Sequence, residues 1–201
     1  DSNVVLKVYE GHFATVHSHI TKYFDFSTIK ARRSEAMAAA NILADKYVNT
    51  TIVDTILCME GTEVIGAYLA DKLTRNGILS MNAHKTIYVV SPEMGTGGQI
   101  VFRDNNEFMI RGKNVLLLVA SASTGGTIFQ CAECIEYYGG TIAGISAIFS
   151  ATSEVGGHDV NSIFTVEDVP GYGSYKMKDC PYCKNKQKLD AIVNAYGYSK
   201  I

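Results

Sequence analysis

The spacing of apolar residues along the chain switches repeatedly between strand-like runs and helical periodicity. Residues 115 to 119, Val-Leu-Leu-Leu-Val, are apolar without a break, the pattern of a strand covered on both faces. A short hydroxyl-rich stretch follows, Ser123, Thr124, Gly125, Gly126 and Thr127; helical spacing then runs to a glycine stop at Gly139 and Gly140. Residues 31–47, rich in alanine, predict a helix. A first core strand is expected from Thr51, a turn at Glu60 and Gly61, a helix over 62–73, and further strands from Lys85, over 141–151 and over 161–166. Each strand-turn-helix passage predicts a βαβ unit with a right-handed crossover. The expected architecture is α/β, a doubly wound central parallel sheet flanked by helices, in one domain spanning 1–201.

Two segments break this rhythm. Between Ser91 and Lys113, residues 99–102 (QIVF) and 107–110 (EFMI) flank Arg103 to Asn106 and predict a flap hairpin. Residues 169–187 read as irregular, and 189–196 (LDAIVNAY) as a short closing helix. The domain is therefore expected to carry a small hood at 1–30, a core at 48–170 and a tail at 171–201.

Charge narrows the partners. A formal net charge of −2 gives no bulk attraction for nucleic acid or an anionic membrane. The densest basic cluster, Lys30, Arg32 and Arg33, reads as a solvated helix start. No apolar run approaches the ~20 residues that span a bilayer. The first residues, DSNVVLKVYE, lack the basic start and apolar core of a secretory signal, so a cytoplasmic location is expected.

The glycine-bearing stretch at 123–127 is the leading candidate for chemistry. Gly125 and Gly126 allow close backbone approach, three hydroxyls offer donors, and a helix start presents unpaired N–H groups, which together suit a phosphate. A plain strand-to-helix turn is the alternative. A nucleoside-triphosphatase loop is disfavoured, because Gly126 is followed by Thr127 and not by Lys. Gly95, Gly97 and Gly98 make only a weak dinucleotide-like cluster. Five cysteines include two C-x2-C pairs, Cys131 with Cys134 and Cys180 with Cys183. Two such pairs can form a four-thiolate Zn2+ site. The first falls within a helix, where small core residues are the usual reading, and Pro181 makes the second the better ligand pair.

Residues 115–127, VLLLVASASTGGT, resemble the phosphoribosyl-pyrophosphate loop of the type I phosphoribosyltransferases. HSHITKYFDF, 17–26, is similar to the segment leading into the base pocket of the family's orotate phosphoribosyltransferase branch. ILCMEGTEVIGAYLA, 56–70, is similar to its second strand, pyrophosphate-contacting loop and helix. The resemblance implies phosphoribosyl transfer from phosphoribosyl pyrophosphate, with Mg2+, to orotate or a related base, and a homodimer. It implies phosphate binding at Ser123 to Thr127, pyrophosphate contact at Met59, Glu60, Gly61 and Thr62, and a base pocket walled by Tyr23, Phe24 and Phe26. His17 and His19 could face that pocket, or form with His12 a solvated strand face; His158 and Asp159 could line its opening. A C-terminal Cys-Pro-x-Cys occurs in some similar sequences, so that pair could be a lineage feature.

Two departures accompany the match. The family carries two adjacent acids before the phosphate loop, where this chain has Val119 and Ala120. Neither side chain can accept a ribose hydroxyl or stabilise positive charge on the sugar. The flap segment, Ser91 to Phe102, has no Lys, Arg or His where the orotate branch supplies a catalytic lysine. Two readings stay open: a working enzyme in which Glu60 or Glu93 substitutes through a metal, or a non-catalytic protein that binds phosphoribosyl pyrophosphate or a nucleotide monophosphate.

Overall fold

The computed structural model describes residues 4–75, 80–83, 85–95 and 98–201. Residues 1–3 of the expected hood and Gly97 lie outside them. The chain begins with β1 (Lys7–Ala14) and β2 (His19–Asp25), then α1 (Ser27–Ala31), α2 (Arg33–Ala44), β3 (Thr55–Cys58), α3 (Glu63–Arg75) and β4 (Tyr88–Val90). The flap region holds β5 (Glu93–Met94), β6 (Ile100–Val101) and the single turn α4 (Asp104–Glu107). There follow β7 (Asn114–Ala122), α5 (Gly126–Tyr137), β8 (Thr141–Ser150), β9 (Glu154–Val155) and β10 (His158–Thr165). The last elements are β11 (Ser174–Tyr175), α6 (Pro181–Lys184), β12 (Ala191–Asn194) and β13 (Gly197–Lys200).

The central sheet has the order β4-β3-β7-β8-β10-β9 and is parallel except at β9. Its middle strand explains the unbroken apolar run. Leu116, Leu118 and Ala120 point into one core with Ile65, Leu69 and Leu43 of α3 and α2. Val115, Leu117 and Val119 point into the other, with Ile128, Cys131 and Ile135 of α5. Strands β3 and β4 are joined through α3 on one face, and β7 and β8 through α5 on the opposite face. Chain direction across the sheet therefore reverses between β3 and β7, and such a reversal opens a crevice at the carboxyl ends of the strands.

Three expectations are corrected. The flap hairpin lies one step earlier: Glu93–Met94 pairs antiparallel with Ile100–Val101, while 104–107 coils and EFMI forms no strand. Arg103 closes that hairpin through a two-pronged bond to Glu93, at 2.6 and 2.5 Å. Residues 189–196 form no helix, because Ala191 pairs with Phe13 and Lys200 and is thereby drawn into a sheet. The segment 171–201 is no appendage. It contributes three strands to a five-stranded hood sheet, β11-β2-β1-β12-β13, whose small core is Phe13, Ile20, Tyr23, Ala191 and Val193.

Candidate ligand site

Between the central sheet and the hood lies a cavity of about 290 Å3. Its floor is the loop 121–128, at the carboxyl end of β7. Gly125 takes a left-handed φ of 77° as the residue before α5, and a Cβ there would lie 2.6 Å from Val155 Cγ2. Only glycine satisfies both conditions. No side chain among the described residues caps α5, so the N–H groups of Gly126, Thr127 and Ile128 have neither intrahelical nor side-chain partners. Gly126 and Thr127 line the cavity at that helix end, and a Cβ on Gly126 would meet nothing nearer than Thr124 Oγ1, at 3.8 Å. The Ser123 hydroxyl is already engaged, sharing a 2.7 Å hydrogen bond with the Tyr172 hydroxyl.

The turn after β3 meets the cavity through one residue. Of Met59, Glu60, Gly61 and Thr62, only Glu60 lines the cavity. Met59 is buried, and the buried Thr62 hydroxyl donates to the carbonyls of Met59 and Leu118, at 2.9 and 3.1 Å. Glu60 itself has a positive φ of 60°. Its Oε2 accepts the N–H groups of Ala120 and Ser121, at 3.1 and 3.3 Å. Burial pushes the Glu60 carboxyl above the ordinary range, and those two donors and Lys30 oppose the rise. Lys30 is not a solvated residue: its Nζ donates to the carbonyls of Glu60 and Ala195, at 2.8 and 2.6 Å, and burial lowers its pKa. It thus ties α1 to the turn after β3 and to the end of β12.

The opposite wall is aromatic. Tyr23, Phe24 and Phe26 all line the cavity, together with Tyr172. Phe24 stacks on Tyr172, with ring centroids 5.4 Å apart and planes at 28°, and also meets Phe149 at 4.2 Å. These rings are core on one side and wall on the other. Val119 and Ala120 are fully buried in opposite cores.

Other candidates fall elsewhere. His158 and Asp159 line a separate depression with Lys46 and Tyr47. Glu93 is held by Arg103 outside the cavity. His17 does line the cavity, but His12 and His19 form no solvated face. They are buried, with His12 Nε2 2.9 Å from His19 Nδ1, beside the sulfurs of Cys180 and Cys183. Cys131 does not join them. It packs in the core under α5, where burial pushes its thiol up to about 12. Cys134 instead approaches the Ile100 carbonyl at 3.5 Å. The two C-x2-C pairs therefore do not make one four-thiolate site.

Among the described residues lining the cavity, Glu60 is the one carboxylate, and two N–H groups already occupy it. Mg2+ in phosphate sites is held by one or two carboxylates together with waters and the ligand's own phosphate oxygens, and from this lining Glu60 is the carboxylate that could contribute.

Lys30 and Tyr172 were not singled out in the sequence as site residues. Tyr172 sits in the Pro-Gly-Tyr-Gly stretch, where no periodicity marks it. Lys30 stands beside the exposed Arg32 and Arg33, a basic run that reads as solvated.

No protein-family model matches the chain. Among solved structures it is similar to UMP synthase from Leishmania donovani, with a TM-score of 0.57 at 15% identity, covering 80% of this chain and 34% of that one. It is likewise similar to Mycobacterium tuberculosis orotate phosphoribosyltransferase in complex with phosphoribosyl pyrophosphate, with a TM-score of 0.53 at 12% identity, covering 73% and 82%. The fold is that of the type I phosphoribosyltransferases. Within that fold, the sequence resembles the orotate branch: it is 28% identical over 106 residues to orotate phosphoribosyltransferase from Pelotomaculum thermopropionicum, covering 48% of this chain. The match spans 54% of that relative's length. No helix among the described residues is long and apolar enough to cross a membrane.

Proposed function

We propose that the chain binds a compound bearing a 5-phosphoribosyl group, phosphoribosyl pyrophosphate or a nucleoside 5′-monophosphate, as an orotate phosphoribosyltransferase-like protein. The phosphate lies on Ser123 to Thr127 and the base against Tyr23, Phe24, Phe26 and Tyr172. The observation that carries this reading is the continuity of one cavity from an uncapped helix start to an aromatic wall. A helix N-terminus favours an anion and the wall suits a planar ring.

A second reading concerns the chemistry, and Val119 and Ala120 favour it. Among the described residues the lining offers no pair of carboxylates for the ribose hydroxyls, and its one carboxylate is bonded to backbone N–H groups. The protein then binds its ligand without effective transfer. As in the parent fold, we expect a homodimer; unpaired thiols fit a cytoplasmic setting.

Calorimetry with phosphoribosyl pyrophosphate tests the phosphate cradle. Gly126→Val adds side-chain bulk where the protein is open and a bound phosphate would sit. We expect at least a tenfold loss of affinity with the melting temperature little changed, and a smaller loss for Gly126→Ala. Undiminished affinity in Gly126→Val would overturn the assignment.

A further inference from the structure

We propose that His12, His19, Cys180 and Cys183 bind one zinc ion, a structural Cys2His2 site that fastens the C-terminal segment to the hood. One ligand atom from each residue lies within 4.8 Å of all the others. The individual separations are more telling. His12 Nε2 is 2.9 Å from His19 Nδ1, 3.5 Å from Cys180 Sγ and 3.6 Å from Cys183 Sγ, and Cys183 Sγ is 3.2 Å from His19 Nδ1. A tetrahedral ion with ordinary zinc bond lengths has edges of about 3.3 Å between nitrogens and about 3.6 Å between nitrogen and sulfur. Those four separations lie within about 0.4 Å of such edges, and the remaining two, from Cys180 Sγ to Cys183 Sγ and to His19 Nδ1, are no longer than 4.8 Å.

The surroundings fit a closed metal site. His12 Nδ1 lies 3.0 Å from the Gln187 carbonyl and 3.2 Å from the Lys188 carbonyl. A carbonyl only accepts, so Nδ1 carries the proton and the Nε2 lone pair is directed at the cluster, as expected for a metal-bound imidazole with a carbonyl behind it. His12 and Cys180 are each 1% exposed and His19 8%. No disulfide joins the cysteines. Two thiolates, two neutral imidazoles and Zn2+ sum to zero charge, which makes burial of the cluster tolerable; two thiol protons leave on binding. Soft sulfur with imidazole in tetrahedral array selects zinc over harder cations.

The fold also has a use for such a fastener. The stretch 176–188 carries five lysines and, apart from Cys180, lies mostly outside any core. Yet it leads directly into β12, whose Val193 and Asn194 line the cavity. Asp190 adds a second clamp, accepting the His12 N–H at 2.7 Å while its own N–H donates to the His12 carbonyl at 2.8 Å. The small hood core gains from a staple that apolar burial alone does not provide.

The full chain, purified without chelator and then exchanged into metal-free buffer, should carry one zinc per chain by elemental mass spectrometry. Cobalt substitution should give the intense visible bands of a tetrahedral site together with a thiolate charge-transfer band. Cys180→Ser, Cys183→Ser and His12→Ala should each lower zinc below about 0.2 per chain, while Cys131→Ser keeps it. Chelation should lower the melting temperature of the unaltered protein by roughly 5 °C or more and leave the metal-free variants unmoved. If a variant does not fold, the cobalt spectrum of the unaltered chain still decides. Metal-free folded protein with Cys180 and Cys183 freely alkylated, octahedral cobalt bands, or equal zinc loss in Cys131→Ser would overturn the proposal.

Discussion

The Glu60 carboxylate accepts a hydrogen bond from the Ala120 backbone N–H at 3.1 Å, so an acid from the turn after β3 reaches the strand position whose own side chain is a methyl group. The carboxylate arrives from another loop and is spent on backbone donors. It also stands beside the place where a polyanionic ligand would lie, and this gives the site a pH dependence with a definite sign. Burial raises the Glu60 pKa from its reference of 4.5. The folded protein then holds a proton that the unfolded chain has released, so the associated stability is full below about 4.5 and is lost as pH rises through the raised value. Glu60→Gln lacks this loss. Its melting temperature should gain on that of the unaltered protein as pH rises from 4 to 8, and it should bind phosphoribosyl pyrophosphate about twofold tighter or better at pH 8. Weaker binding by the Gln variant would instead mean that the carboxylate holds the ligand.

Tyr172 links the loop 121–128 to the aromatic wall through its bond to Ser123. Tyr172→Phe keeps the stacking on Phe24 and removes that bond. A loss of about 1 kcal/mol in unfolding free energy is expected, with a several-fold fall in affinity for a nucleoside monophosphate. Chemical denaturation and calorimetry check the two parts. Unchanged affinity would mean that the loop is positioned without Tyr172.

Acids placed at positions 119 and 120 should not confer transfer chemistry. Val119 and Ala120 are fully buried, so Val119→Asp places a carboxylate in the core under α5. Destabilisation by about 3 kcal/mol or more is expected, without a gain in product formation. Thermal unfolding with a transferase assay on the double aspartate variant checks this. A stable, active double variant would show that the rest of the machinery is intact.

A homodimer is expected at micromolar concentration, by light scattering. A monomeric mass would contradict it.

The central fold was legible because its signals are local. The run at 115–119 has both cores written into one strand, and Gly125 was marked by the strand-to-helix junction around it. The hood was not legible. Residues 191–194 alternate buried and exposed, a two-residue period, but four residues beside a helix-compatible stretch could not outweigh it. What makes them a strand is pairing with Phe13 and Ala14, almost 180 residues earlier. The same distance hid the His-Cys cluster. Cys180 and Cys183 stand out in the sequence as a candidate pair, whereas His12 and His19 come beside them only where the tail folds back on β1 and β2. The flap was displaced for another reason: Asp104, Asn105 and Asn106 close a helical turn, so EFMI has no partner strand.

The most direct test of ligand binding without transfer is orotidine monophosphate formation from phosphoribosyl pyrophosphate, orotate and Mg2+, measured on protein whose binding of phosphoribosyl pyrophosphate has been established in the same preparation. One missing electrostatic group typically lowers a rate ~100- to 1,000-fold, and on the proposed reading two carboxylates and a loop lysine are absent together. Saturable binding with turnover at least about 1,000-fold below that of an active orotate phosphoribosyltransferase is the predicted result. Turnover comparable to such an enzyme would contradict it, and would assign to Glu60 the work of the missing acids.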